Sequence, residues 1–168
     1  MAQDKLNVSV TSRAAQNNAA WFMNHLKSHR YRGLLGQVTY LPISNSNAKE
    51  WKSGVKDTTF AILYHTKCQG RINLTDVTDS IYDKELKYMS EKLGKQNVLV
   101  VVDDLEKSDN EESLRILQNQ PSISKWARDL LLFNDKEKDP VPEAKQQVLL
   151  SSFSAGNIIG EYGTCPCK

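Results

Sequence analysis

Five consecutive residues, Val98-Leu99-Val100-Val101-Val102, carry nothing but branched aliphatic side chains. In a strand successive side chains point to opposite faces, so this run puts apolar groups on both sides of a sheet at once. Only a central strand covered by helices above and below accommodates that, and parallel sheets between helical layers are where such runs occur. The chain can build the cover: 168 residues fit one domain, and 39% hydrophobic with 25% charged residues is the balance of a chain with a real core.

The rest of the sequence alternates short β-type runs with helical spacing. Leu6 to Val10 reads as a first strand. Ser12 follows as a helix N-cap, and Ala15, Ala19, Phe22 and Leu26 then fall on one helical face. Gly33 and Gly36 mark the turn into a second strand, Gln37 to Leu41, which Pro42 stops because proline cannot donate to a ladder. A helical piece spans Ala48 to Val55, and Phe60 to Tyr64 is a third, doubly buried strand. After a long polar connection over residues 66–80, Tyr82, Leu86, Met89 and Leu93 recur at helical intervals, with Gly94 placed to close the helix. Beyond the fourth strand, the acidic stretch Asp103 to Ser113 leads to a short helix with Leu114 and Leu117, and Pro121-Ser122 opens another bearing Ile123 and Trp126. Leu130 to Phe133 is expected as an edge strand. Asp139-Pro140 reads as a cap and first-turn proline for a last helix through Val148 toward Phe153. The expected organisation is a single α/β domain over 1–154 and a Gly/Cys-containing tail over 155–168. Its fold is a short, mostly parallel five-stranded sheet with helices on both faces, in the flavodoxin-like order 2-1-3-4-5.

Charge and cysteine content narrow the partners. Twenty-two basic against 20 acidic residues leave +2, too little for a nucleic-acid or anionic-membrane surface. The sequence has no apolar stretch of the length a signal peptide or membrane span needs, so a cytoplasmic protein is expected. Cys68, Cys165 and Cys167 form no disulfide framework and are expected as free thiols.

In the expected sheet, ligands belong at the carboxyl ends of the strands, where the winding reverses. Ser12 and Arg13, Ser44 and Asn45, His65 and Lys67, and Asp103 and Asp104 stand there, a set able to hold a phosphorylated or nucleotide-like ligand. No standard cofactor fingerprint accompanies them. The run Thr11-Ser12-Arg13-Ala14-Ala15 lacks the glycines of a flavin or dinucleotide loop, and the acids of a phosphoacceptor site are missing after the first strand, with His65 where the acceptor would be. No cofactor and no resident metal are therefore expected. Asp103 and Asp104 have the chemistry for Mg²⁺ or acid–base work, but Glu106, Asp109, Glu111 and Glu112 follow and no second acidic cluster completes a site. They are read as part of one solvated acidic loop. His65, with Cys68 three residues on, is the best-placed histidine for acid–base chemistry, although that spacing fixes no geometry. Cys165-Pro166-Cys167 supplies half a zinc site at most.

The opening strand, polar turn and aromatic-bearing helix (Val8-Ser9-Val10-Thr11-Ser12-Arg13 running to Trp21) resemble the start of a TIR (Toll/interleukin receptor) domain. The segment Ser80-Ile81-Tyr82-Asp83-Lys84-Glu85-Leu86 is similar to that family's helix motif of Ser, then Trp-Cys, two residues and Glu-Leu, with Ile81 and Tyr82 in place of Trp-Cys. The resemblance implies the same five-stranded fold and puts Glu85 where NAD-cleaving members carry their glutamate. The first expectation is a non-enzymatic interaction or signalling module that binds a protein partner or itself, through the 66–80 connection and the 103–113 loop. The alternatives are a nucleotide or NAD N-glycosidic hydrolase using Glu85, and a small-ligand binder at the strand ends.

Overall fold

The computed structural model describes residues 5–68 and 71–161. Five strands, β1 (Leu6–Ser12), β2 (Leu35–Pro42), β3 (Phe60–Thr66), β4 (Val98–Leu105) and β5 (Asp129–Asn134), form one sheet in the order β2-β1-β3-β4-β5. Every neighbouring pair is parallel. The helices between them are α1 (Ala20–Leu26), α2 (Ala48–Lys56), α3 (Asp83–Leu93), α4 (Asn110–Asn119), α5 (Ser122–Trp126) and α6 (Glu143–Glu161). Among the described residues no helix is long and apolar enough to cross a membrane.

The aliphatic run occupies the place its composition demands. β4 lies between β3 and β5, with Val98 to Val102 all buried. Period-two alternation splits the core into two layers. Leu99 and Val101 join Phe60, Ile62, Tyr64, Leu131 and Phe133 beneath α1 and α6, where Phe22, Leu149 and Phe153 pack. Val98, Val100 and Val102 join Ala61, Leu63, Leu130 and Leu132 on the other face, against Trp51, Leu86, Met89, Ile116 and Ile123. β5 forms one edge and β2 the other. Gly94 ends α3 at φ 91°, a conformation that favours glycine.

Three local expectations need correction. Ser12 is the last residue of β1 and caps no helix: its Oγ accepts from Ala14 N at 2.9 Å, closing a tight turn. A 3₁₀ turn over Gln16–Ala19 then leads into α1. The last helix begins at Glu143 and not at Asp139-Pro140. Pro142 keeps Val141 from helical geometry, Val141 is buried in the core, and the Pro142 carbonyl accepts the amides of Lys145 and Gln146. Asp103 and Asp104 belong to β4 and not to a loop. The remainder, Glu106 to Asp109, connects to α4, where Asp109 is the N-cap that accepts from Glu112 N at 3.0 Å. Cys68 is an exposed free thiol; Cys165 and Cys167 lie outside the described residues.

Candidate functional site

Two polar centres occupy the carboxyl end of the sheet, and sequence candidates divide between them. The first is built around Arg13, immediately after β1. Its Nε donates to the Ile81 carbonyl at 3.2 Å, Nη1 to Asn45 Oδ1 at 3.1 Å and Nη2 to Glu85 Oε2 at 3.3 Å. One guanidinium thus joins the turn after β2, the approach to α3 and the first turn of α3. Its backbone N–H donates to Tyr82 Oη at 3.1 Å. Tyr82 is fully buried, and burial holds its phenol protonated above the ordinary range despite the opposing pull of the Arg13 amide.

His65 lies behind Tyr82, with 1% of its surface exposed and the two rings edge to face. His65 Nε2 is 3.0 Å from the Arg71 carbonyl, which can only accept, so Nε2 carries a proton. In the neutral ring, Nδ1 is then the acceptor for the Tyr82 hydroxyl at 3.2 Å. The histidine best placed along the sequence for acid–base work is enclosed and orients a tyrosine.

Beside Glu85 opens a groove of about 470 Å³ between α2 and α3, within the range of small-molecule sites. Its walls combine Ile43, Trp51 and Tyr88 with Lys52, Lys84 and Lys87. Trp51 is fixed from below, its Nε1 donating to the buried Thr11 Oγ1 at 2.7 Å, and its ring lies 5.6 Å from that of Tyr88. Lys52 Nζ stands over the Tyr88 ring at 5.3 Å. Two aromatic side chains, lysines and the carboxylates Glu85 and Glu91 therefore line the groove, with Glu85 at the end nearest the point where the winding of the sheet reverses, between β1 and β3.

The second centre surrounds Asp103, which is completely buried. Its Oδ2 accepts from Trp21 Nε1 at 2.8 Å and from the Tyr64 hydroxyl, and Lys138 Nζ lies at 3.5 Å. Asp104 Oδ1 pairs with Lys138 at 2.7 Å, and its Oδ2 accepts from Thr66 Oγ1 and, at 3.1 Å, from the Cys68 thiol. Consecutive strand residues would normally face opposite ways. Here Asp104 has φ 61°, and the pairing with β5 slips between Val102 and Leu105, a local bulge that brings both carboxyl groups to one ammonium. Burial raises the Asp104 carboxyl, but the hydrogen bonds from Lys138 and Thr66 outweigh it and hold the group below the usual range. Lys138 is raised: burial would lower it, and its carboxylate partners win. The solvated-loop reading of this pair is thus overturned, and the position a Mg²⁺ would take between the two acids is filled by an ammonium group. Among the described residues no group of three or more His, Cys, Asp or Glu is arranged to hold a metal ion.

Other candidates separate. Cys68 turns toward Asp104 and not His65, and that carboxylate pushes its thiol up, the opposite of an activated nucleophile. Lys67 lines a separate depression of about 250 Å³ with Leu105, Lys107 and Arg115. The 66–80 connection is not an open loop: Leu74 and Thr75 are buried, both amides donate to Gln120 Oε1, and Asp76 accepts from Ser122. Sequence reasoning placed Trp51, Tyr88 and Lys138 in no site. Nothing in the sequence around Trp51 or Tyr88 marks a site, and nothing in the charged run 135–139 singles out Lys138. Comparison with known proteins matches the chain to no family model and to no curated relative.

Proposed function

We propose that this protein is a TIR-like domain that binds a nucleotide in the α2–α3 groove and cleaves its N-glycosidic bond, with Glu85 as the catalytic carboxylate. The observation that carries this reading is the position of Glu85. Among the described residues it is the one carboxylate that lies both at the strand switch point and on the groove wall, 18% exposed at its side chain, whereas Glu91 lines the groove further along α3. Trp51 and Tyr88 offer the groove an aromatic surface for a base, and Lys52, Lys84 and Lys87 offer charge for phosphates. NAD is the natural first substrate, because a pyridinium nitrogen leaves as a neutral base. In the reaction the C1′–N bond breaks and its electron pair stays on the leaving nitrogen. The cationic sugar carbon is stabilised by the Glu85 carboxylate, and water adds to C1′ while its proton passes to Glu85 or to solvent. A cytoplasmic signalling role belongs to the same proposal, since the substrate is an intracellular metabolite.

The interaction-module reading has less support. Its two proposed surfaces are only partly available: Thr66, Leu74 and Thr75 in the 66–80 connection and Asp103 and Leu105 in the acidic stretch are buried, which leaves Lys67, Arg71, Asp76 and Asp79 and, from Glu106 to Glu111, mainly charged residues exposed. Chromatographic measurement of NAD and released nicotinamide decides between them. Wild-type protein is expected to release nicotinamide, and Glu85→Gln, with an unchanged circular dichroism spectrum, to lose at least a hundredfold in rate. Binding of NAD without Glu85-dependent release leaves a ligand-binding module; neither binding nor release sinks the nucleotide reading altogether.

A further inference from the structure

The Glu85 carboxylate is held by one oxygen only. Arg13 Nη2 meets Oε2 at 3.3 Å, longer than the 2.7–2.9 Å of a tight charge-assisted hydrogen bond, and among the described residues no hydrogen bond involves Oε1. Arg13 itself is not free to follow a ligand. Nε is fixed on the Ile81 carbonyl, Nη1 on Asn45 Oδ1, and the backbone N–H on Tyr82 Oη, which the buried His65 orients in turn. Its side chain is 26% exposed. A guanidinium tied at two of its nitrogens, on a residue whose main chain is tied as well, presents its remaining nitrogen in a set direction, which is what a planar fork does better than an ammonium.

We infer that Arg13 is a positioning residue: it fixes the rotamer of Glu85 through Oε2 so that Oε1 faces the groove, and Tyr82, backed by His65, fixes Arg13. This inference rests on the glycosidase reading. The α3 helix sets the Cα of Glu85 but leaves three side-chain torsions open, and Oε1 needs a definite place relative to the sugar carbon. Misplacement of a reacting group by about 1 Å costs on the order of a hundredfold in rate. The arrangement also joins distant parts of the chain: Arg13 and Glu85 are 72 positions apart, Asn45 follows β2, and the adjacent Ile81 and Tyr82 precede α3.

The test is steady-state NAD cleavage by the full chain, comparing wild type, Arg13→Ala, Arg13→Lys and Tyr82→Phe, with Glu85→Gln as the reference for lost chemistry. Arg13→Ala should lower kcat roughly thirty- to a hundredfold with KM within about threefold, because the carboxylate is displaced and the groove is not. Arg13→Lys restores a cation near Oε2 but not the fork, and should fall between alanine and wild type. Tyr82→Phe keeps the ring and loses the acceptor for the Arg13 amide, and should lower kcat several-fold at unchanged KM. If Arg13→Ala does not fold, the lysine and phenylalanine variants decide the matter by the same kcat-against-KM split. A rise in KM at constant kcat would make Arg13 a ligand-binding group and overturn the inference. Wild-type activity that depends on Glu85 but survives Arg13→Ala overturns the inference alone. Wild-type protein without Glu85-dependent turnover overturns the glycosidase reading, and the positioning role with it.

Discussion

Replacing Lys138 by Met isolates the energetics of the buried acid. Lys138 Nζ is the one cation paired with Asp103 among the described residues, at 3.5 Å, and it pairs with Asp104 at 2.7 Å. Exposed ion pairs contribute about 0.2–1 kcal/mol. Removing one partner of a buried pair costs about 3–5 kcal/mol, because the other charge is left without compensation. Lys138 lies between these limits: its side chain is 25% exposed, so water replaces part of what it supplies to Asp104, whereas Asp103 is wholly enclosed. Asp103 would retain only the Trp21 and Tyr64 donors on Oδ2, while its Oδ1 already has no hydrogen-bond partner. Lys138→Met is therefore expected to cost about 2–3 kcal/mol, read as a lower urea midpoint at unchanged slope. Methionine keeps the length of the aliphatic stem, so the loss is electrostatic and not a cavity. The companion variant Asp103→Asn, made in the Lys138→Met background, should recover part of the loss, since it removes the uncompensated acid while keeping an amide oxygen for Trp21. A Lys138→Met cost below about 0.5 kcal/mol, or a further loss on adding Asp103→Asn, would refute the claim that the ammonium compensates a buried acid.

Tyr64 extends the same centre into the alkaline range: burial first, and then the Asp103 carboxyl, raise its phenol far above the ordinary value of 10.0. A group raised in the folded state contributes stability that is intact below its unfolded value and lost as pH climbs toward the folded one. Tyr64→Phe should thus be about 1–3 kcal/mol less stable than wild type near pH 7, with the gap narrowing above pH 10 in denaturant titrations. A gap that widens there contradicts the assignment. Gln120→Ala should release the 66–80 connection, because Gln120 accepts from Leu74 N and Thr75 N at 2.9 and 3.1 Å and donates to the Ile72 carbonyl at 2.8 Å. Hydrogen exchange at Leu74 and Thr75 should accelerate by more than tenfold, with β4 amides slowed or sped only as far as global stability changes; unchanged protection at Leu74 removes Gln120 from the role.

The frame was legible in the sequence wherever one residue type could do only one thing. A run of aliphatic residues without a polar break has to be covered on both faces, so Val98 to Val102 pointed to an interior strand of a parallel sheet, the place β4 takes between β3 and β5. The glycine after Leu93 ended α3 as expected, and Leu130 to Phe133 is an edge strand. Boundaries failed where short-range chemistry had two outcomes. Ser12 carries the hydroxyl of an N-cap, but that hydroxyl closes a turn inside the strand exit, and only the tertiary position of β1 against β2 and β3 chooses between them. At Asp139-Pro140 the pattern of a helix start was present, and a second proline two residues on displaced it to Glu143.

The candidate site was legible as a set of residues but not as a site, because density of charge along a chain says nothing of access. The acids are concentrated from Asp103 to Glu112, and that concentration drew the sequence reading to a solvated loop. Asp103 instead sits in the core, its Oδ2 shared by an indole, a phenol and an ammonium, with no surface left to meet a ligand. Glu85 stands in a helix of ordinary charge pattern, and only the resemblance of its neighbours to a motif marked it. What distinguishes it physically is long-range: a partner 72 residues away, a partly exposed side chain, and a groove beside it. A carboxylate enclosed in the core, as Asp103 is even with one oxygen unpartnered, holds a fold together, while one with an accessible oxygen at a concave surface is able to act on something else. By that criterion the two centres at the carboxyl end separate, the one under α1 structural and the one between α2 and α3 the place to look for chemistry.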